Sequence, residues 1–357
     1  MPSGRSSAEE LVILREVKEA ALAANAVKSR LKEIESRVRE LLSTSAVERV
    51  IHVGCGSSYY AALFSTYPLY LHRVGGLALP ASELLFLLEQ RSDPRSSLVV
   101  FYSRSGETRE VILALERAKS RGVRTLGLTC TEGSALHLGA DRAVVVPECV
   151  ERSYYMTKSF TTLSILGVAA SHALLENGGR EGLQKLEAEL QAFIEGSEKI
   201  SQRLDDISEL AERTLKKRAF VVLGPGSIYA IALEASLKLN EVAYTFSTAM
   251  HALEFRHGPI ALREKAEDLQ LILLSASSTP ANAYVEKLAD ELRSKGMDVL
   301  LVSDRDTADL SIPVKMHSQI TYLLLVLPMY YFAIERARRL GYNPDAPLHI
   351  ERVVKNI

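Results

Sequence analysis

The string HVGCGSSYYAAL, residues 52–63, returns without a gap as VLGPGSIYAIAL, residues 222–233, 170 positions later. A second pair follows in the same order: VVFYSRSGE at 99–107 and LILLSASST at 271–279, 172 positions apart. Two matches in one order at nearly one offset are the mark of an internal duplication. Each of these strings opens on an apolar run that ends at Gly or Ser, the pattern of a buried strand entering a tight turn before a helix. The same rhythm is legible in VRTLGLTC and RAVVVPE of the first half and in RAFVVLGPGS and MDVLLVSD of the second. Strand, turn and helix alternating in this way predict an α/β fold, two tandem domains each built on a mostly parallel sheet flanked by helices.

The expected division is an N-terminal helical segment over 1–45, a first domain over 46–177 and a helical connection over 178–216. A second domain over 217–340 and a tail over 341–357 complete it. Residues 8–43 read as one long helix or two, with SAEE at 7–10 offering a capping box. GYNPDAPLHIERVVKNI, with two prolines and little amphipathic pattern, reads as a tail laid over the body.

Composition narrows the function classes. The 357 residues carry a formal net charge of −1, with 47% hydrophobic and 24% charged residues, as in a globular protein with two cores. Such a balance provides no overall attraction to nucleic acid or acidic membranes. Cys55, Cys130 and Cys149 show no metal-type or redox-type spacing, and their scarcity fits a reducing, cytoplasmic setting; no metal and no cofactor are expected. The charged amphipathic start is unlike a signal peptide. The longest apolar run, ITYLLLVLPMYYFAI at 320–334, is short for a bilayer and is interrupted by Pro328, which predicts a buried helix.

Three constellations can carry chemistry. SRSGET, residues 103–108, sets Ser103, Ser105 and Thr108 around Gly106 where a strand opens into a helix. Hydroxyls beside unpaired helix amides suit a phosphate, although a Ser-rich N-cap alone would account for the same string. GCGSS, residues 54–58, places Gly56, Ser57 and Ser58 at a second strand-end turn of the same sheet, where open α/β sheets bind ligands. ALEASLKLNEVAY, residues 232–244, returns Glu234, Lys238 and Glu241 to nearly one helical azimuth. That stripe fits either a solvated surface pair or acids and a base facing a substrate. His257, in the loop string EFRHGP, is available as an acid or base near neutral pH.

These pieces, in this order, resemble the double-SIS (sugar isomerase) domain family, as found in the isomerase half of glucosamine-6-phosphate synthase and in related amino-sugar-phosphate deaminase/isomerases. The matching strings are GCGSSYYAAL, SRSGET, MTKSFTT, LEASLKLNEVAY and EFRHGPIAL, which span most of residues 50–262. The resemblance implies that Ser58, Ser103, Ser105 and Thr108 hold a sugar phosphate, with Arg104 where the family often has Gln. Gly56 and Ser57 would contact substrate from the neighbouring turn. It implies that Glu241 moves a proton between C1 and C2, with Glu234 and Lys238 orienting and charge-balancing the site. His257 would assist ring opening from a neighbouring subunit, so a homodimer is expected.

Three departures shape the reaction expected. The chain begins Met-Pro, so no N-terminal cysteine nucleophile and no glutaminase domain are expected to supply ammonia. Arg352 of PLHIERVV, a candidate substrate contact, stands where the synthase tail has an imine-forming lysine, and a guanidinium is a poor imine former. Met156 stands where the synthase has a serine contacting the sugar. The expectation is therefore an enzyme that isomerises and deaminates an amino-sugar 6-phosphate, without cofactor, with a plain isomerase or deglycase as the alternative. A non-catalytic phosphosugar sensor is less favoured, because residues 1–48 lack paired short helices with a basic patch.

Overall fold

The apolar runs become strands because both their faces are covered. A computed structural model describes residues 10–43, 47–72, 74–89, 96–175, 180–354 and 356. The first sheet holds β1 (Arg49–Gly54), β2 (Gly75–Pro80), β3 (Ser97–Ser103), β4 (Arg124–Thr129) and β5 (Arg142–Val145), in the order β2-β1-β3-β4-β5. The second holds β6 (Ala219–Gly224), β7 (Phe246–His251), β8 (Leu269–Leu274), β9 (Val299–Ser303) and β10 (Leu310–Ser311), in the order β10-β9-β8-β6-β7. Every pairing is parallel. Substituting β6 for β1, β7 for β2 and so on turns one order into the other, so the duplication read from sequence is a duplication of topology. In each sheet the order reverses beside the first strand, and the crevice beyond the strand ends at that point is the usual ligand site of such folds. Every residue of β3 and of β8 is buried, as central parallel strands require.

Helices cover both sheets. α1 (Val12–Lys18), α2 (Ala20–Ser29) and α3 (Leu31–Leu42) precede the first sheet. The first domain adds α4 (Ser57–Ser65), α5 (Tyr67–Leu71), α6 (Ala81–Glu89), α7 (Arg109–Ser120), α8 (Ala135–Gly139) and α9 (Lys158–Leu174). α10 (Arg180–Ser201) and α11 (Leu204–Arg213) lie between the two sheets in chain order, and α12 (Ile228–Ala243), α13 (Asn282–Ser294), α14 (Gln319–Tyr322) and α15 (Val326–Arg339) alternate with or follow the strands of the second sheet. α4 packs against both α9 and α12, so the helices that open from the duplicated glycine turns meet between the sheets. A single large core runs through this zone from Ile13 to Ala337.

The duplicated turns keep their special backbone. Gly56 and Gly226 have φ of 52° and 54°, a left-handed region that other residues adopt only with strain. A Cβ on Gly54 or Gly224 would meet the carbonyl of the fourth residue on, at 2.5 and 2.7 Å respectively, so the helix can start this close to the strand only with glycine there.

Several expectations change in detail. The N-terminal segment is three helices, broken at Glu19 and Arg30, and Ser7 of the expected capping box lies outside the described residues. Residues 319–339 are helical throughout, with a 3₁₀ turn at Leu323–Leu325 easing the backbone ahead of Pro328, which has no N–H to donate. That stretch has the length and apolar composition of a membrane span, yet most of it is buried inside the protein, against α11 and α12. The cysteine reading is overturned in part: Cys130 and Cys149 form a disulfide and Cys55 is free. A separation of 19 residues matches no short motif, because the pair is brought together by the neighbouring carboxyl ends of β4 and β5.

Candidate active site

α12 turns its charged stripe inward. Glu234 is 0% exposed, the Lys238 side chain 1% and the Glu241 side chain 27%, so the stripe climbs from the core to a partly exposed end. Lys238 Nζ donates to Glu241 Oε2 at 2.8 Å and to Ser57 Oγ at 2.9 Å, and lies 3.1 Å from Glu234 Oε1. Burial alone pulls the Lys238 ammonium down, but the two carboxylates more than offset it and hold it above the usual lysine range. Burial pushes the Glu234 carboxyl up, with Lys238 opposing the shift. A lysine kept charged in this way is a poor nucleophile; its chemistry is to hold negative charge in place. α12 ends at Tyr244, whose left-handed φ of 46° closes the helix three residues past Glu241.

The second half of the site comes from the other domain. Ser57 and Ser58 open α4, both 5% exposed, and Ser58 Oγ meets the Met156 sulfur at 3.6 Å. At the end of the neighbouring strand β3, Ser103 Oγ accepts from Gly106 N at 3.0 Å and stands 3.4 Å from Thr108 Oγ1, while Ser105 Oγ accepts from Glu107 N at 3.1 Å. Thr108 sits at the N-cap of α7 without bonding that helix through its side chain. Gly106, with φ of 66°, lets the turn press against Ser134, where a Cβ would come within 2.1 Å of Oγ. The result is a ring of hydroxyls and main-chain amides at the positive end of a helix, an arrangement suited to a dianion. The Lys238–Ser57 bond joins this region to α12 across the two domains.

Arg104 has a different employment from its neighbours. Its guanidinium donates to the carbonyls of Tyr155 (2.8 Å), Tyr154 (3.2 Å) and Arg352 (3.0 Å) and pairs with Glu151 at 3.3 Å. Glu151, wholly buried, also accepts from Thr157 N at 2.7 Å and Thr157 Oγ1 at 2.8 Å, and from the Ser159 hydroxyl, so it anchors the start of α9. Arg352 bonds the Glu151 carbonyl through its own guanidinium. The tail is fastened further by Leu348 N to Tyr244 Oη at 2.9 Å and by Arg109 N to the Val354 carbonyl at 3.2 Å. These bonds fasten residues 348–354 to the end of α12, the start of α7 and the 151–155 loop. Glu151 and Tyr330, whose hydroxyl donates to Glu234 Oε1 at 3.1 Å, were not visible as site residues in the sequence. Both lie far from α12 along the chain and belong to no short pattern.

His257 stands apart. It caps the 3₁₀ turn Ala252–Arg256, is exposed, and among the described residues makes no hydrogen bond or ion pair with Glu234, Lys238 or Glu241. The second copy of the SRSGET turn, around SASST, is closed from within. Asp304, 1% exposed, accepts from Ser277 N and Ser277 Oγ, each at 2.7 Å, and from Met316 N at 2.9 Å. A carboxylate fills the place where the first domain leaves its hydroxyls open.

The SIS domain model matches residues 44–173 and 215–318, one match in each half. Among curated proteins, the chain is 28% identical over 316 residues to a glutamine–fructose-6-phosphate aminotransferase [isomerizing] of Aquifex aeolicus, covering 86% of this chain and 51% of that one. It is 30% identical over 324 residues to the enzyme of that name from Tropheryma whipplei, covering 87% and 52%. The chain thus spans about half the length of these curated relatives. Among solved structures, a glucosamine-6-phosphate deaminase from Thermotoga maritima superposes with a TM-score of 0.71 at 27% identity, over 91% of this chain and 98% of that one. The C-terminal domain of a glucosamine-fructose-6-phosphate aminotransferase from Francisella tularensis shares the fold, with a TM-score of 0.81 at 22% identity over 95% and 99%. With the family model matched in both halves and the two sheets repeating one topology, the chain belongs to the SIS domain family.

Proposed function

We propose that this protein is a phosphosugar isomerase/deaminase that converts an amino-sugar 6-phosphate, glucosamine 6-phosphate first, into the ketose 6-phosphate and ammonia, or runs the reverse with free ammonia. The observation that carries the proposal is the partly exposed Glu241 carboxylate, held at 2.8 Å by a buried Lys238 that also grips Ser57 beside the phosphate turns. Ser58, Ser103, Ser105 and Thr108 take the phosphate, with Gly56 and Ser57 lining the approach. Arg104 and Arg352 act on the tail and the 151–157 loop, to which their guanidinium groups are bonded.

In the open-chain aldose, Glu241 removes the C2 proton and returns it to C1, turning the C1 aldehyde and C2 amine into a C1 alcohol and C2 imine. Water adds at C2 and ammonia departs, so amino sugar and water balance ketose and ammonia. Lys238 and Glu234 hold the charge around the carboxylate throughout. His257, exposed in its own chain, serves the ring-opening step from a second copy in a homodimer. A cytoplasmic setting, where sugar phosphates are retained, belongs to the same proposal.

The likeness to the Thermotoga deaminase over nearly its whole length supports deamination. Arg352 in the tail disfavours an imine formed with the enzyme. A panel of amino and neutral sugar 6-phosphates, followed for ammonia and for ketose, tests the proposal. Ammonia and ketose in equal amounts from glucosamine 6-phosphate are expected, with turnover abolished and binding kept in Glu241→Gln. Ketose formed without ammonia from neutral sugars alone would instead identify a plain aldose–ketose isomerase.

A further inference from the structure

We infer that Tyr330 is a positioning residue, which keeps Glu234 ionised so that the Lys238 charge is shared between two carboxylates instead of being drawn wholly onto Glu241. This inference rests on the proposed role of Glu241 as the proton carrier. Tyr330 is 1% exposed on α15, the helix most extensively packed against α12. Its hydroxyl donates to Glu234 Oε1 at 3.1 Å, and Lys238 Nζ lies at 3.1 Å from the same oxygen. Glu234 Oε2 is buried and, among the described residues, has no hydrogen-bond partner within normal distance. One oxygen thus carries the Tyr330 and Lys238 contacts of a wholly buried carboxylate, and the Ser57 hydroxyl also favours its ionised form.

Burying an ionised carboxylate costs more than its contacts return unless each contact is made well. The groups around Glu234 are few: Lys238 and Glu241 on its own helix, Ser57 and Tyr60 from α4, and Tyr330 from α15, itself near Glu151. Lys238 is the single cation of this set, and it is already divided between Glu234 and Glu241. Tyr330 is the donor that serves Glu234 alone. Without it, Glu234 takes up a proton more readily and turns neutral. The ammonium at 2.8 Å from Glu241 then has one carboxylate left to pair with, and a carboxylate held more tightly is a weaker base. The chain Tyr330–Glu234–Lys238–Glu241 therefore runs from the core to the reacting edge and tunes the last member by hydrogen bonding to the second.

Tyr330→Phe removes the hydroxyl and keeps the ring. The expected result is a kcat about tenfold lower, the size of one hydrogen bond to a charged group, with KM nearly unchanged. The acid limb of the kcat profile should also move to higher pH, because activity now waits for Glu234 to lose its proton. Glu234→Gln should lower kcat without that displaced limb, and Tyr330→Phe added to it should lower kcat no further. A Tyr330→Phe enzyme with the wild-type kcat and profile overturns the inference. So does one whose kcat and KM worsen together with a lower Tm on an unmoved profile, the sign of a merely structural role. Carbon-13 NMR of glutamate carboxyl-labelled protein keeps this separate from the proposed reaction. An upward move of the Glu234 titration in Tyr330→Phe supports the inference even if no sugar phosphate is turned over, and an unmoved titration overturns it.

Discussion

His52 shows how much one buried side chain can govern the response to pH. It lies on β1 with 0% exposure, its Nδ1 2.6 Å from the Tyr102 hydroxyl and its Nε2 without a hydrogen-bond partner. Burial pushes its pKa down to about 3, against 6.5 for an ordinary histidine. Between those values the unfolded chain holds a proton that the folded chain does not, so stability rises with pH. The slope is about 1.4 kcal/mol per pH unit for this one group. The contribution is complete above 6.5 and is lost as pH falls toward 3. His172, pushed to about 4 by burial, adds to the same trend. Urea unfolding from pH 4 to 7 should therefore give a steep fall in stability on acidification, shallower in His52→Gln by about that slope. Equal slopes in the two proteins would show that His52 is not held neutral. A histidine in RVIHVG carries no sequence mark of this behaviour, because its burial depends on β2 and β3 flanking it. The α12 stripe is the opposite case. Helical periodicity alone brings Glu234, Lys238 and Glu241 to one side, so the grouping was legible, whereas the face being covered depends on α4 and α15 and was not.

Among the helices, α15 does more than fill the core. Arg336, 3% exposed, donates to Thr245 Oγ1 at 2.9 Å, to the Thr214 carbonyl at 2.9 Å and to the Lys217 carbonyl at 2.6 Å. Its guanidinium also lies over the Phe220 ring, 4.7 Å from the centroid. One side chain thus ties the end of α11 and the exit of α12 to α15. Arg336→Met keeps the stem but leaves the buried Thr214 carbonyl and the half-buried Lys217 carbonyl without this donor, and should cost about 3 kcal/mol. Chemical denaturation measures this directly, and a loss below about 1 kcal/mol would mean that the carbonyls find other donors. The elements missed in the sequence have a shared cause. β2, β7 and the two-residue β10, GGLALP, FSTAMH and LS, lie at sheet edges and are not fully buried. Edge strands need no continuous apolar run, so the pattern that discloses β1, β3, β6 and β8 is absent from them.

For the protein as a whole, duplication raises the question of how many ligands one chain holds. Two sheets with one topology create two crevices, and both were legible from the repeated strings. What the repeat could not disclose is that the second turn is bonded from within by a carboxylate. Asp304 comes from the end of β9, 27 residues beyond Ser277, and its carboxylate takes the amide and hydroxyl of Ser277 together with the amide of Met316. A second anion brought to that turn would meet a buried negative charge and no free donor among these three. In the first domain Ser103 and Thr108 face each other with no carboxylate on either hydroxyl. Isothermal titration with a sugar 6-phosphate should accordingly give one site per chain, and Ser105→Ala should weaken it. Asp304→Ala frees the three donors and should add a weaker second site for inorganic phosphate, provided its Tm shows that the domain stays folded. Two sites per chain in the unaltered protein would mean that Asp304 gives way to ligand, and the two halves would then have to be treated as equivalent binding domains.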